Sequence, residues 1–129
     1  MTELHSGDAP STRIVGPITQ TDIVRFAGAG GDFNPLHHDP EFVARTGFPG
    51  VIAMGQMHAA ILAGFLTDWV GSESLRRFGV RFKAPVFVGD TLSFDATVDR
   101  VEDDIAYISL TVTRDGDTIM TAQAQAQSA

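Results

Sequence analysis

Residues 51–66 read VIAMGQMHAAILAGFL and are apolar apart from Gln56 and His58. A helix that is apolar nearly all round cannot lie on a protein surface. It is also shorter than the roughly 20 apolar residues a membrane span needs, and Asp68 follows soon after it. The segment is therefore expected to be a buried helix that the rest of the chain must wrap. At 129 residues the chain is the size of one domain, so the wrapping has to come from that same domain.

The wrapping is legible further along. Phe78, Val80 and Phe82 alternate with Arg77, Gly79, Arg81 and Lys83. Leu92, Phe94, Ala96 and Val98 alternate with Ser93, Asp95, Thr97 and Asp99. The same period of two returns in Ala106, Ile108, Leu110 and Val112, and again in Ala122, Ala124 and Ala126 among glutamines. Each run is a strand with one apolar face. Turn-like breaks at Val88-Gly89-Asp90, Glu102-Asp103-Asp104 and Asp115-Gly116 predict an antiparallel meander of four neighbouring strands. Upstream, Thr19 with Asp22 three residues on is a capping-box variant that opens a helix, and Gly28, Gly30 and Gly31 close it. The expected fold is α+β: residues 1–129 form a single hot-dog domain, an antiparallel sheet wrapped around a long central helix, with residues 1–10 a flexible N-terminus.

Composition excludes several classes of function. A formal net charge of −7 argues against a sequence-independent grip on nucleic acid. With no cysteine there is no thiolate nucleophile and no zinc–sulfur site. The first residues, MTELHSGDAPST, lack a basic start followed by an apolar run, so no export signal and no membrane partner are expected, and the expected location is the cytoplasm.

The chemistry concentrates in residues 31–40, GDFNPLHHDP, which carry Asp32, His37, His38 and Asp39 beside two prolines. These side chains have the atoms of a metal site, yet no His-x-x-x-His pair lies on a helix and adjacent histidines diverge, so no metal is expected. The preceding GAGGD lacks the glycine spacing of a dinucleotide loop and the Gly-Lys-Ser/Thr of a P-loop. Asp32 and His37 are five apart, which a straight helix would not stack on one face. A loop bent at Pro35 can aim both at one point, with Asn34 held extended by the proline after it.

Asp32, Asn34, Pro35, Leu36 and His37 resemble the aspartate–x–asparagine–proline–leucine–histidine motif of MaoC-like hot-dog hydratases and dehydratases, set just ahead of the buried helix. A second block, Arg81-Phe82, Pro85 and Gly89-Asp90, resembles the same family and marks the fold more than the chemistry. The resemblance runs from about residue 18 to residue 98. It implies reversible hydration of a trans-2-enoyl-CoA thioester to a 3-hydroxyacyl-CoA of R configuration. Asp32 and His37 would activate one water, and the amide of Gly55, at the family's glycine position, would bind the thioester oxygen. Asn34, Phe33, Met54 and Gln56 would orient the loop or line the pocket. Met54 departs from the family, which usually has histidine there.

Hydration moves a proton from water and delivers one to the α-carbon, a task suited to a carboxylate and an imidazole. The carboxylate needs burial to be a useful base. No cofactor is expected, coenzyme A being part of the substrate. Arg76, Arg77, Arg81 and Lys83 crowd onto or beside one strand, where Arg81 and Lys83 could meet coenzyme A phosphates or form a solvated face. The bland readings of the other residues are a turn cap for Asp32, an exposed His38, and a packed or pocket-wall His58. Hot-dog relatives pair, so a homodimer or higher oligomer is implied, or a heteromer with a second MaoC-like chain. The rival activity is that of a hot-dog acyl-CoA thioesterase, which generally lacks the aspartate–asparagine–histidine loop.

Overall fold

The expected buried helix is α3, Gly55–Val70, which buries Met57, His58, Leu62, Phe65, Leu66 and Val70. In the computed structural model, which describes residues 2–129, a five-stranded antiparallel sheet curls around it. Its strands are β1 (Arg13–Val15), β2 (Leu75–Phe82), β3 (Leu92–Glu102), β4 (Ile105–Arg114) and β5 (Asp117–Gln127). The apolar residues read from the period of two in β3, β4 and β5 are all buried against α3 or its neighbours. Ala122, Ala124 and Ala126 stand opposite Leu110, Ile108 and Ala106 on β4. The small side chains of β5 leave room for the larger ones beside them, so the alanine–glutamine repeat is a genuine strand. No helix among the described residues is long and apolar enough to cross a membrane.

The sheet order β1-β3-β4-β5-β2 corrects the expected meander of four. Only β3, β4 and β5 form one; β2 crosses to the far edge and pairs with β5, Val80 opposite Ala122 and Phe82 opposite Met120. The connection 83–91 is too long for a hairpin, and its own bonds direct it across the sheet. Arg114 Nη1 on β4 donates to the Pro85 carbonyl at 2.9 Å and to Asp90 Oδ2 at 2.6 Å, while the same carboxylate accepts from Phe87 N–H at 2.8 Å. As a result the apolar face of β2 is poorly covered: Val80 is 36 % and Phe82 48 % exposed.

Two further differences concern short segments. The N-terminus is pinned rather than flexible over its described part, Met1 lying outside the described residues. Leu4 is buried and donates its N–H to Ser128 Oγ at 2.9 Å. Gly7 N–H donates to the Val98 carbonyl, and Val98 N–H to the Asp8 carbonyl, each at 2.8 Å. The strap satisfies the otherwise open edge of β3 beyond β1. A helix that the sequence reading passed over, α2, spans Pro40–Thr46. Its signal was present: Asp39 caps it by accepting from Glu41 and Phe42 N–H, and Pro40 sits at its first position.

Candidate active site

The helix α1, Gln20–Gly30, starts at the capping box of Thr19 and Asp22 and stops at Gly31, which is left-handed at φ 72°. The chain then turns back, Asp32 N–H donating to the Ala27 carbonyl at 2.9 Å. A single 3-10 turn, Pro35–His37, follows, capped by Asn34, whose Oδ1 accepts from Leu36 N–H at 3.0 Å. Proline at the first position and asparagine at the cap are the residue types such a start favours. Asn34 N–H in turn donates to Asp32 Oδ1 at 3.2 Å. The motif's aspartate, asparagine and proline thus fold into one local knot, in which Asn34 caps the turn that carries His37.

That knot places His37 with its ring buried, 8 % exposed, and Nδ1 2.8 Å from the Ile52 carbonyl. A carbonyl only accepts, so Nδ1 carries a proton and, in the neutral ring, Nε2 is left with a lone pair. Nε2 lies 3.2 Å from Asp32 Oδ2. A carboxylate oxygen facing an imidazole lone pair leaves one proton, or one water donating to both, to satisfy the pair. The backbone that carries the ring is held as well, since Gln20 Nε2 donates to the His37 carbonyl at 2.9 Å and Ile52 N–H to the Leu36 carbonyl at 3.0 Å. Neither Ile52 nor Gln20 was legible as part of a site, because a backbone carbonyl has no residue type to betray it. Asp32 departs from expectation in one respect: its side chain is 46 % exposed, not buried.

Two residues after Ala53, whose N–H donates to the Val86 carbonyl at 2.8 Å, α3 begins at Gly55. Met54 is its N-cap, without a side-chain cap bond; Met57 N–H returns to the Met54 carbonyl at 2.9 Å, which leaves the amides of Gly55 and Gln56 to donate. Gly55 lines a cleft of about 490 Å³ with Ile52, Ala53, Gln56, His58, Phe82, Lys83, Ala84 and Pro85. Asp32 and His37 do not line this cleft; Ile52, whose carbonyl holds His37, joins the two. The glycine suits the packing: a Cβ at Gly55 would come within 2.7 Å of Phe82 Cε1, so the ring would have to move aside. Where the sequence reading left that space for a substrate oxygen, the half-exposed ring of Phe82 fills it.

The other expected residues are placed as follows. Met54 is buried in the core, and Gln56 is exposed at the rim of the cleft. Phe33 does not line a pocket within the chain; it stands 73 % exposed, on a stretch in which Asp32 and Asn34 are exposed too. His38 is exposed, as expected. Arg81 and Lys83 are exposed and line, with Arg77, Tyr107, Gln123 and Gln125, a groove of about 550 Å³ on the outer sheet face. Lys83 belongs to both this groove and the Gly55 cleft. His58 is 2 % exposed, and its Nδ1 has no hydrogen-bond partner among the described residues. Burial alone pushes its pKa down to about 4, so the ring is neutral at neutral pH.

A hot-dog fold with a carboxylate–imidazole pair set ahead of its central helix defines the class. Residues 3–119 match the model of the MaoC like domain, and the chain belongs to that family. It is 35 % identical over 92 residues to an (R)-specific enoyl-CoA hydratase of Aeromonas caviae, covering 70 % of this chain and 69 % of that one. It is 39 % identical over 83 residues to 3-hydroxyacyl-thioester dehydratase X of Mycobacterium tuberculosis, covering 64 % of this chain but only 29 % of the longer relative. The solved structure of the (R)-hydratase of A. caviae superposes with a TM-score of 0.87 at 27 % identity, over 98 % of both chains. A chain of the ChsH1-ChsH2 complex of M. tuberculosis superposes with a TM-score of 0.86 at 22 % identity, over 96 % of this chain and 98 % of that one, a likeness of fold alone.

Proposed function

We propose that this chain is a hydro-lyase that reversibly adds water to a trans-2-enoyl-CoA thioester, giving the (R)-3-hydroxyacyl-CoA. The observation that carries the reading is the His37 Nε2 to Asp32 Oδ2 approach of 3.2 Å, with Nδ1 committed to the Ile52 carbonyl. Water held by the pair adds its oxygen to C3 as the pair takes its proton. Electron density moves from the double bond onto the thioester oxygen, which the Gly55 amide receives at the start of α3. A proton returned from the pair to the α-carbon restores the thioester, and all atoms balance without a cofactor. The names of the hydratase and dehydratase relatives support the same chemistry.

The basic groove fits the nucleotide end of the substrate. Lys83 stands between it and the cleft, so a pantetheine arm passing over the β2 edge would carry phosphates toward Arg77 and Arg81. The exposed apolar face of β2 further favours an assembly, either a homodimer or a pair with a second MaoC-like chain, in which that face and the half-open Asp32 are covered.

The test is ultraviolet loss of the conjugated thioester with crotonyl-CoA and a medium-chain analogue, with free thiol followed in the same samples. Loss of conjugation without thiol is expected, falling by about 10²-fold or more in Asp32→Asn and in His37→Ala. Thiol release would establish a thioesterase instead. Silence from the isolated chain, with activity on adding a second MaoC-like chain, would establish the heteromer.

A further inference from the structure

Among the described residues only two buried side-chain polar atoms lack a partner, His58 Nδ1 and Ser74 Oγ. Leaving a buried group of this kind unpaired costs about 1–3 kcal/mol, so a partner absent from the folded chain is the natural explanation. His58 has the position to meet one. It lies three residues after Gly55 on α3, and helical side chains lean toward the N-terminus, which brings the imidazole over the turn that Gly55 leaves bare. Both residues line the same cleft. What closes the cleft over them is Phe82, whose ring fills the space beside Gly55 and meets the His58 ring edge-on, centroids 6.4 Å apart and planes at 87°. Phe82 sits on an edge strand and is 48 % exposed, so its side chain can swing outward without breaking the core.

We propose that His58 is a second hydrogen-bond donor to the thioester oxygen, acting through Nδ1–H beside the Gly55 amide once the substrate displaces the Phe82 ring. The inference deepens the hydratase reading and rests on it. Two donors at one oxygen match what an enolate-like transition state needs, and a neutral imidazole suits that task. Burial keeps His58 in that neutral form.

The experiment compares wild type, His58→Leu and His58→Asn with crotonyl-CoA, reading kcat, KM and melting temperature for each. An asparagine amide nitrogen stands where Nδ1 stands; leucine keeps the volume and loses the donor. The expected result is a kcat about 10²–10³-fold lower in His58→Leu, with KM changed less than fivefold and the melting temperature no lower than wild type. His58→Asn is expected to stay within about tenfold of wild type. A His58→Leu enzyme within about threefold of wild-type kcat overturns the proposal. If His58→Leu does not fold, His58→Asn decides: retained turnover supports the Nδ1 donor, and a folded variant down by about 100-fold overturns it. Wild type that hydrates neither crotonyl-CoA nor its medium-chain analogue, alone or with a second MaoC-like chain, sinks the hydratase reading and this proposal with it, whereas active wild type with indifferent variants sinks this proposal alone.

Discussion

His37 and His58 are both buried imidazoles, and their neighbours give them opposite chemistry. His37 has one nitrogen committed to the Ile52 carbonyl and the other facing a carboxylate, the arrangement that the proposed proton transfer uses. His58 faces Gly55 and Phe82, and burial holds it neutral down to about pH 4. A histidine of pKa near 6.5 when unfolded and about 4 when folded binds more protons in the unfolded chain at pH values between the two. Stability therefore falls as pH drops from 6.5 toward 4, and above 6.5 the penalty is absent; the full effect is roughly 3 kcal/mol. Urea unfolding of wild type and His58→Leu at pH 7 and pH 4.5 checks this, the expected outcome being a shallower loss in the variant. Equal slopes would show that His58 is not the titrating group. The approach of Asp32 to His37 was legible in the sequence, because the proline between them bends the loop. Ile52 was not, since any residue supplies a carbonyl.

At the level of elements, the start of α3 and the end of β2 are one structural unit, although separated in sequence. Gly55→Ala adds a methyl that strikes the Phe82 ring at 2.7 Å. The expected cost is about 1 kcal/mol, at the low end for overpacking because the ring is free to move, and the double variant with Phe82→Ala relieves the clash. A double-mutant cycle of unfolding free energies measures the coupling; strictly additive effects would deny the contact. The crossover 83–91 is a second such unit, organised by Arg114. Arg114→Ala leaves the Pro85 carbonyl and the Asp90 carboxylate without their charged partner, and is expected to cost about 1–3 kcal/mol in thermal or denaturant unfolding. A variant as stable as wild type would mean the crossover is held by other contacts. The helix α2 shows why a short element is hard to read from sequence: its cap, Asp39, and its first residue, Pro40, lie in the same loop as the titratable cluster, and seven residues are too few for a clear helical period.

For the whole molecule, the telling surface is β2. Its apolar residues alternate as a buried face should, yet Val80 and Phe82 remain in the open and the outer edge of the strand has no strand partner among the described residues. Edges and apolar patches of this kind are covered in working assemblies. Sedimentation of the purified chain, alone and with a second MaoC-like chain, is expected to show a dimer or larger species with wild type and a shift toward monomer with Val80→Lys. A wild-type monomer at assay concentration that is nonetheless active would remove the need for a partner.

The sequence by itself determined that a short, all-apolar helix must be wrapped by strands of period two, and that an aspartate and a histidine in a proline-bent loop stand ahead of that helix. Those are local properties, set by side-chain type and spacing along the chain. The tertiary structure alone decided that β2 lies beside β5, that the Ile52 carbonyl holds His37, and that Phe82 covers Gly55 and His58. Each of these joins residues far apart in sequence through backbone groups or shared space, and neither leaves a pattern in the order of residues.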